Sequence, residues 1–301
     1  MQTMIGFLFV FATGGVLLIL ERLLPLHPGQ NTLRPGWKID LMHVFLSGTL
    51  IRLGTTVAVL AASVFAISAV PEPLRQAVRA QPDWLEFLEL LVLSDLCLYA
   101  AHRLCHAVPL LWRFHAVHHS SENLDWLAAY RVHPVDQILN STMMALPAIV
   151  LGFSPLPLLI YAIVYRIHAP LLHSNVRLDL GPLGVLLTSP RFHHWHHADQ
   201  AEAYDRNFAG QLSFIDRLFG THYAPGEGSL PARYGVGGAV PENYVGQLLQ
   251  PFGVTLSPNA VSPAGQGVVA EPASFACQPV KPGLHPNTPA EALHNPPATS
   301  V

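Results

Sequence analysis

The chain has 301 residues, of which 50% are hydrophobic and 12% are charged, and its mean hydropathy is +0.34. This composition excludes an ordinary soluble enzyme and favours a protein that lies in a bilayer. The net charge of −3 argues against nucleic acid as a partner. Histidine is over-represented, with 17 residues against 16 lysines and arginines together, and this excess indicates metal binding.

Two apolar segments open the chain. Residues 4–20 have no basic residue before them, which is typical of a first transmembrane helix rather than of a signal peptide. Residues 41–70 are apolar for about thirty residues, but Arg52 and Gly54 interrupt them, so we expect one tilted helix or a broken one. These segments predict an N-terminal transmembrane region over residues 1–83.

The third apolar segment, residues 84–101, contains Asp95. An ionisable group inside a membrane segment is costly and usually has a partner, so this carboxylate indicates function. The spacings of four, three and four residues predict one helical face that carries Asp95, Tyr99, His102 and His106. Asp95 could therefore orient a ligating histidine. The alternative is a carboxylate that faces a watery cavity and has no role at a metal.

Histidines recur in two dense clusters. Residues 102–119 contain five histidines, at spacings of four, nine, three and one, and residues 193–197 contain four. Imidazole is the commonest metal ligand at neutral pH, and positions i, i+3 and i+4 share one face of a helix. A single histidine at such a spacing is usually an ordinary surface or core residue. The combined clusters instead indicate a metal site.

A membrane hairpin is predicted after the first cluster. Residues 138–152 and 156–167 are two short apolar segments, and His168 and His173 follow where the second would leave the membrane. His133, directly before a proline, is a candidate ligand or a residue at a substrate gate. With the N-terminus outside, counting the crossings brings every histidine cluster to one membrane face. We expect this face to be cytoplasmic, which suits three cysteines without disulfide or CxxC spacing.

The expected ligands are all imidazoles and number nine or ten, twice what one tetrahedral site needs, so two metal ions are implied. Nitrogen ligands suit iron, zinc, copper or nickel, and ligand type alone does not choose among them. A metal transporter or metal-binding membrane protein is the rival class, but its ligands should lie near the bilayer midplane. Here most candidate ligands lie beyond the apolar segments, which favours an enzyme whose apolar substrate enters from the bilayer.

Four histidine boxes resemble those of the fatty acid hydroxylase and sterol desaturase superfamily, membrane di-iron oxygenases that act on lipids. The boxes are HRLCH from His102, HAVHH from His115, HSN from His173 and PRFHHWHH from Pro190. Other positions similar to the family are Asp95, Tyr99, Asn123, Arg131, His133, Pro134, Asn207, Gly210, Asp216 and Phe219. The resemblance spans roughly residues 84–252, and four ordered boxes make it specific.

The resemblance implies an all-α integral membrane protein, with about four transmembrane helices or helical hairpins and a cytosolic helical cap that carries a histidine-rich dimetal site. The catalytic metal ligands would be His102, His106, His115, His118, His119, His173, His193, His196 and His197, with His168 as a tenth metal ligand. Around them, a second shell would contain Asp95, Tyr99, Asn123, Arg131, His133 and Asn207. His194 stands where the family commonly has arginine, and we leave it out of the ligand set.

The resemblance also implies an O2-dependent oxidoreductase with two iron ions, for which zinc could substitute in purified protein. It would hydroxylate or desaturate a fatty acyl, sterol or related lipid by C–H abstraction. A carotenoid or ether-lipid monooxygenase is the alternative. The sequence lacks a flavin or nicotinamide fingerprint, so electrons would come from an external ferredoxin, cytochrome or reductase.

Composition also predicts the domain boundaries. A catalytic domain would cover residues 84–224, and a C-terminal extension packed on the core would cover residues 225–252. Residues 253–301 are rich in proline, glycine and alanine and have little periodic apolar surface, so we expect a flexible tail.

Overall fold

A computed structural model describes residues 2–226, 228–237 and 240–254. In these ranges the chain is helical and has no strand beyond two isolated bridges. The α-helices are α1 (Gln2–Leu23), α2 (Trp37–Met42), α3 (Gly48–Ala69), α4 (Glu72–Arg79), α5 (Asp83–Ala107), α6 (Pro109–His119), α7 (Pro134–Leu151), α8 (Pro155–His173), α9 (Pro190–His196), α10 (Phe214–Leu218) and α11 (Tyr244–Leu249). The predicted tail lies almost entirely outside the described residues.

Three helical segments in the described ranges are long and apolar enough to cross a membrane: Met4–Leu23, Trp37–Ala66 and Pro155–His173. The second is continuous, because a π-helical turn at His43–Ser47 joins α2 to α3. The sequence led us to expect about four crossings. Helices α5 and α7 are less apolar, since they carry buried polar side chains such as Asp95 and Asp136.

Helix α5 is the scaffold for the histidine-bearing part of the chain. Helices α6, α7 and α8 all pack against it, and α3 packs on the far side of α7. The predicted hairpin segments form α7 and α8, which are joined by a tight turn in which Gly152 has a positive φ of 70°. Buried Glu86 of α5 accepts a 2.6 Å hydrogen bond from the Ser154 amide and so holds this turn against the scaffold.

A buried ionic network fixes the segment that follows the second histidine box. Arg34 bonds both Asp40 and Asp125, at 2.5 and 2.7 Å, and Asp40 also accepts from Arg131. Asp125 in turn accepts from the main-chain amides that start the short helix at Trp126–Tyr130. Because buried charges are tolerated only when paired, these contacts tie the N-terminal loop to the histidine-bearing core.

The segment before the predicted tail contacts the N-terminal region and the start of α7. Gln247 of α11 accepts a 2.9 Å hydrogen bond from the ring of His43, and the Leu248 carbonyl accepts from His133. Farther upstream, the Tyr234 hydroxyl lies within hydrogen-bonding distance of His27. These side chains therefore join residues 234–248 to the transmembrane region.

Candidate metal centre

Nine histidines from three parts of the chain converge into two adjoining groups, and none is more than 9% exposed. The ring nitrogens available as ligands lie within 4.8 Å of one another in each group. The five-histidine group consists of His102, His106, His115, His119 and His196. The four-histidine group consists of His118, His173, His193 and His197. Two predicted residues lie outside both groups: His168, on α8, and His133, which directly precedes α7.

Helical periodicity explains which histidine joins which group. His102 and His106 are four residues apart on α5, so they face the same side, and His115 and His119 repeat this spacing on α6. His118 is rotated by about 100° from His119 and faces the four-histidine group instead. On α9, His193 faces the four-histidine group and His196 faces the five-histidine group, for the same reason. One short helix therefore serves two sites.

Several of these histidines donate a hydrogen bond from Nδ1 to an oxygen outside the two groups, which leaves Nε2 as an acceptor. His102 Nδ1 bonds the Phe208 carbonyl at 2.8 Å, and His115 Nδ1 lies 3.1 Å from the Asp136 carboxylate. His118, His173 and His196 likewise bond main-chain carbonyls, of Arg131, Ala169 and Arg206 respectively. An oxygen of this kind only accepts, so each Nδ1 carries the proton and each Nε2 presents a lone pair.

These lone pairs face one another. His102 Nε2 lies 3.0 Å from His115 Nε2, and His118 Nε2 lies 3.1 Å from His173 Nε2. Two acceptors this close repel unless a cation lies between them. Ring nitrogens bound to one ion at about 2.0–2.1 Å are about 3 Å apart at a right angle, so the observed spacing fits a shared metal ion in each group.

The histidines are held in the neutral form that binds metal. Burial, with a smaller contribution from neighbouring imidazoles, lowers the pKa well below its ordinary value for His118, His119, His193, His196 and His197. Metal ligation requires unprotonated imidazole, so the environment favours a bound ion over a bound proton.

This lowering of the pKa predicts the pH dependence of stability. The unfolded histidines take up protons below about pH 6.5, whereas the buried ones resist protonation, so the unfolded state binds more protons. Stability of metal-free protein should therefore be constant above about pH 7.5 and should fall as the pH drops below about 6.5. Thermal unfolding at a series of pH values measures this. An unfolding temperature unchanged between pH 8 and about pH 5 would contradict the prediction.

Asp136 is a residue of the site that the sequence analysis missed. It lies in the first turn of α7 and is 3% exposed. Its carboxylate accepts from His115 Nδ1 and from Asn140, at 3.1 and 2.9 Å, and lies near the Cys105 thiol. A carboxylate behind a ligating histidine fixes the ring and raises its basicity. The available signal was an acidic residue three positions after His133, at the start of an apolar segment.

Asp95 acts on the site through the main chain. Its fully buried carboxylate accepts from the amides of Gly210, Gln211 and Leu212, with the shortest contact at 2.7 Å. This loop follows Phe208, whose carbonyl binds His102. Asp95 therefore does not touch a histidine ring, although it stabilises the loop that does.

Replacement of Asp95 by asparagine should lower the free energy of unfolding by about 3 kcal/mol, because an amide cannot accept all three hydrogen bonds. Thermal or detergent-induced unfolding measures the loss. Glu72→Gln, which removes a carboxylate from an exposed ion pair, is the matched control and should cost little. Equal stability of the two variants would contradict this role for Asp95.

The remaining residues predicted around the ligands have diverse contacts. The Tyr99 hydroxyl bonds Thr221 at 2.9 Å, and Arg131 contributes its carbonyl to His118 while its side chain pairs with Asp40. Fully buried Asn207 bonds the main chain of Phe192 and Tyr223 and so links α9 to the segment after it. The Asn123 carbonyl accepts from Ser121, and His133 caps α7. The Arg131 carbonyl contacts a clustered histidine directly, whereas the hydrogen bonds of the other residues hold neighbouring segments in place.

His194 is fully buried and lies outside both groups. Its Nε2 faces the carbonyls of His173 and Ser174, at 3.3 and 3.1 Å, and its Nδ1 lies 2.9 Å from the Tyr234 hydroxyl. It is thus a hydrogen-bonding partner of the segment that contains His173.

A cavity of about 770 Å³ extends from the histidines into the membrane-spanning helices. Apolar side chains of α1 and α3, including Phe7, Val10 and Val59, line the part away from the site. Five of the nine clustered histidines line it, His102, His115, His118, His173 and His193, and so does His43. Sites for small molecules commonly have this volume and a mostly apolar wall. The cavity can therefore hold an apolar molecule against both groups.

The fold and the site together define a helical membrane protein with a histidine-rich centre able to hold metal. The sequence profile of the fatty acid hydroxylase family matches residues 87–221. The chain is 30% identical over 249 residues to the ornithine lipid hydroxylase OlsE of Rhizobium tropici. The matched region covers 80% of this chain and 73% of that protein. The chain belongs to the fatty acid hydroxylase family, in the fatty acid hydroxylase and sterol desaturase superfamily, as its histidine boxes predicted.

More distant relatives match a smaller share of the chain. Human alkylglycerol monooxygenase is 35% identical over 140 residues, which cover 44% of this chain and 29% of that protein. Rat methylsterol monooxygenase 1 is 26% identical over 132 residues, which cover 43% of this chain and 44% of that protein. The chain thus spans less than half of these two relatives. No solved structure matches it. The apolar helices and the family support an integral membrane protein and an oxidoreductase.

Proposed function

We propose that this protein is a membrane-bound, O2-dependent lipid hydroxylase that holds two iron ions. The facing lone pairs of His102 with His115 and of His118 with His173 are the observation that carries the proposal. One ion would be held by the five-histidine group and the other by the four-histidine group. When bound, iron would supply the activation of O2 needed to oxidise a C–H bond. The two-ion assignment is supported by the separation of the nine histidines into groups that share no member.

The residues of the chain position and shield this chemistry. Asp136 holds the His115 ring, while the carbonyls of Phe208 and Arg206 hold His102 and His196. Burial of all nine histidines excludes bulk water, which strengthens electrostatic interactions at the site. The apolar cavity would place a lipid chain beside both groups.

The kind of substrate is supported by the relatives. Those reported above are named as oxygenases of an ornithine lipid, of alkylglycerols and of a methylsterol. Addition of oxygen is therefore favoured over desaturation. A second candidate is an ether-lipid monooxygenase, because an alkylglycerol monooxygenase is 36% identical to this chain over 149 residues. Electrons would come from an external ferredoxin, cytochrome or reductase, and the histidine boxes would face the cytoplasm.

Comparison of lipid extracts tests the proposal. The protein is expressed with a reductase system, and total lipids are analysed by mass spectrometry against cells with an empty vector. A lipid that gains one oxygen atom, only when the protein is present, is the expected product. Supply of isotopically labelled O2 should label that atom. A mass loss of two hydrogens would instead indicate desaturation, and an unchanged lipid profile in the presence of bound iron and reductant would contradict the proposal.

A further inference from the structure

Two exposed arginines line the cavity: Arg52 on α3 and Arg166 on α8. Each belongs to a helical segment long and apolar enough to cross a membrane. Neither side chain forms a hydrogen bond or an ion pair with the described residues. A charged side chain in such a helix is costly and almost always has a partner or faces a cavity. Here the cavity is the place where a partner can bind.

The polar lining near these arginines can donate hydrogen bonds to an added group. The Thr55 hydroxyl, on the same face of α3 one turn after Arg52, is buried without a hydrogen-bond partner. Tyr130 and Tyr165 also line the cavity. Tyr165 directly precedes Arg166 in the chain, and Tyr130 is close enough to interact electrostatically with Arg166. The one carboxylate in the lining belongs to Asp136, which already accepts from His115 and Asn140. The described lining is therefore positively charged and lacks a matching anion.

We propose that the cavity selects a lipid whose head bears a phosphate or carboxylate group, which pairs with Arg52 or with Arg166. The guanidinium group binds both anions through two parallel hydrogen bonds, which an uncharged head cannot form. That this lipid is the substrate rests on the proposed lipid oxidation. The selection of an anionic head group does not depend on lipid oxidation.

The position of Arg166 fits this role. It precedes His173 by seven residues on α8, which corresponds to about 10 Å along the helix axis. Apolar residues such as Phe7, Val10 and Val59 form other parts of the cavity wall. One lipid can therefore contact an arginine with its head while its chain lies along the same cavity as the histidines.

Binding to metal-free, full-length protein in a neutral detergent tests the inference without turnover. Two lipid pairs, each matched in acyl chain, separate the anions: oleate against methyl oleate, and dioleoyl phosphatidic acid against dioleoylglycerol. Native mass spectrometry gives the bound fraction of each. We expect the charged member of at least one pair to bind about tenfold more tightly, because it alone forms charge-assisted hydrogen bonds with a guanidinium group. Inorganic phosphate should not displace it.

The variants show whether the arginines cause the preference. The double variant Arg52→Gln, Arg166→Gln should abolish the preference for the charged lipid, whereas the double lysine variant should keep most of it. Arg177 is exposed and lies outside the cavity, so Arg177→Gln should leave the preference unchanged. Equal binding of charged and uncharged lipids by the wild type would overturn the inference, as would a preference that survives the double glutamine variant. Displacement by inorganic phosphate would overturn the assignment to a lipid. A preference that depends on the arginines, without oxidation by the iron-loaded enzyme, would refute the proposed function alone.

Discussion

Alanine at His118 or at His196 is expected to abolish lipid oxidation and to reduce bound metal from two ions per chain to about one. The two residues belong to different groups, so under the proposed two-ion assignment each substitution would remove a ligand from a different ion. Loss of one imidazole removes a ligand from that group and weakens its affinity for the ion. The measurements are metal content of the purified protein and the yield of oxidised lipid.

His168→Ala is the matched control, because His168 lies on the same helix as His173 but outside both groups. It should retain two ions and membrane insertion. If it lost metal as the other variants do, His168 would return to the ligand set. Full turnover with normal metal content in the His118 or His196 variant would contradict the assignment of the two groups.

Asparagine at Asp136 should lower turnover by about 10–100-fold, the usual effect of removing a partner behind a metal ligand. The Asp136 carboxylate fixes the His115 ring with its Nδ1 protonated. An amide can present its own donor to that nitrogen and favour the opposite tautomer, which would turn a proton toward the metal. Steady-state turnover and iron affinity should therefore fall together.

Asp136→Glu keeps the charge and should recover part of both quantities, whereas an effect on folding alone would lower protein yield without changing iron affinity. Glu122→Gln, at an exposed carboxylate, should behave as the wild type. An Asp136→Asn variant with unchanged turnover and iron affinity would show that the carboxylate does not act through His115.

The histidine spacing on α5 and α6 could be read from the sequence because helical periodicity is local. His102 with His106, and His115 with His119, face one way in the structure as the i, i+4 rule requires. The division of the neighbours His118 and His119 between two groups depends on where α8 and α9 pack. That arrangement is tertiary, and spacing along one helix does not contain it.

Asp95 and Asp136 illustrate the same limit. Asp95 lies inside an apolar segment and Asp136 directly before one, but only Asp95 shares a helical face with predicted ligands, so the sequence indicates a role for Asp95 alone. In the structure Asp95 holds the main chain after α9, and Asp136, from a separate helix, holds His115. The packing of α7 on α5 brings Asp136 to the site, and no periodic pattern connects residues on different helices.

The apolar segments indicated a membrane protein correctly, because length and composition decide whether a helix can cross. The number of crossings was harder to predict. Helix α5 has the length to cross, yet its acidic residues, Asp83, Glu86, Glu89 and Asp95, make it unlike the three apolar helices. Whether such a helix is surrounded by lipid or by other helices depends on its partners.

Metal content per chain tests the central proposal most directly. The wild-type protein, expressed in iron-supplemented medium and purified without chelator, is analysed by elemental mass spectrometry beside the His118→Ala and His196→Ala variants. Two metal ions per wild-type chain, and about one in each variant, are the expected results. A single ion in the wild type, lost completely in both variants, would contradict two separate sites formed by the two histidine groups.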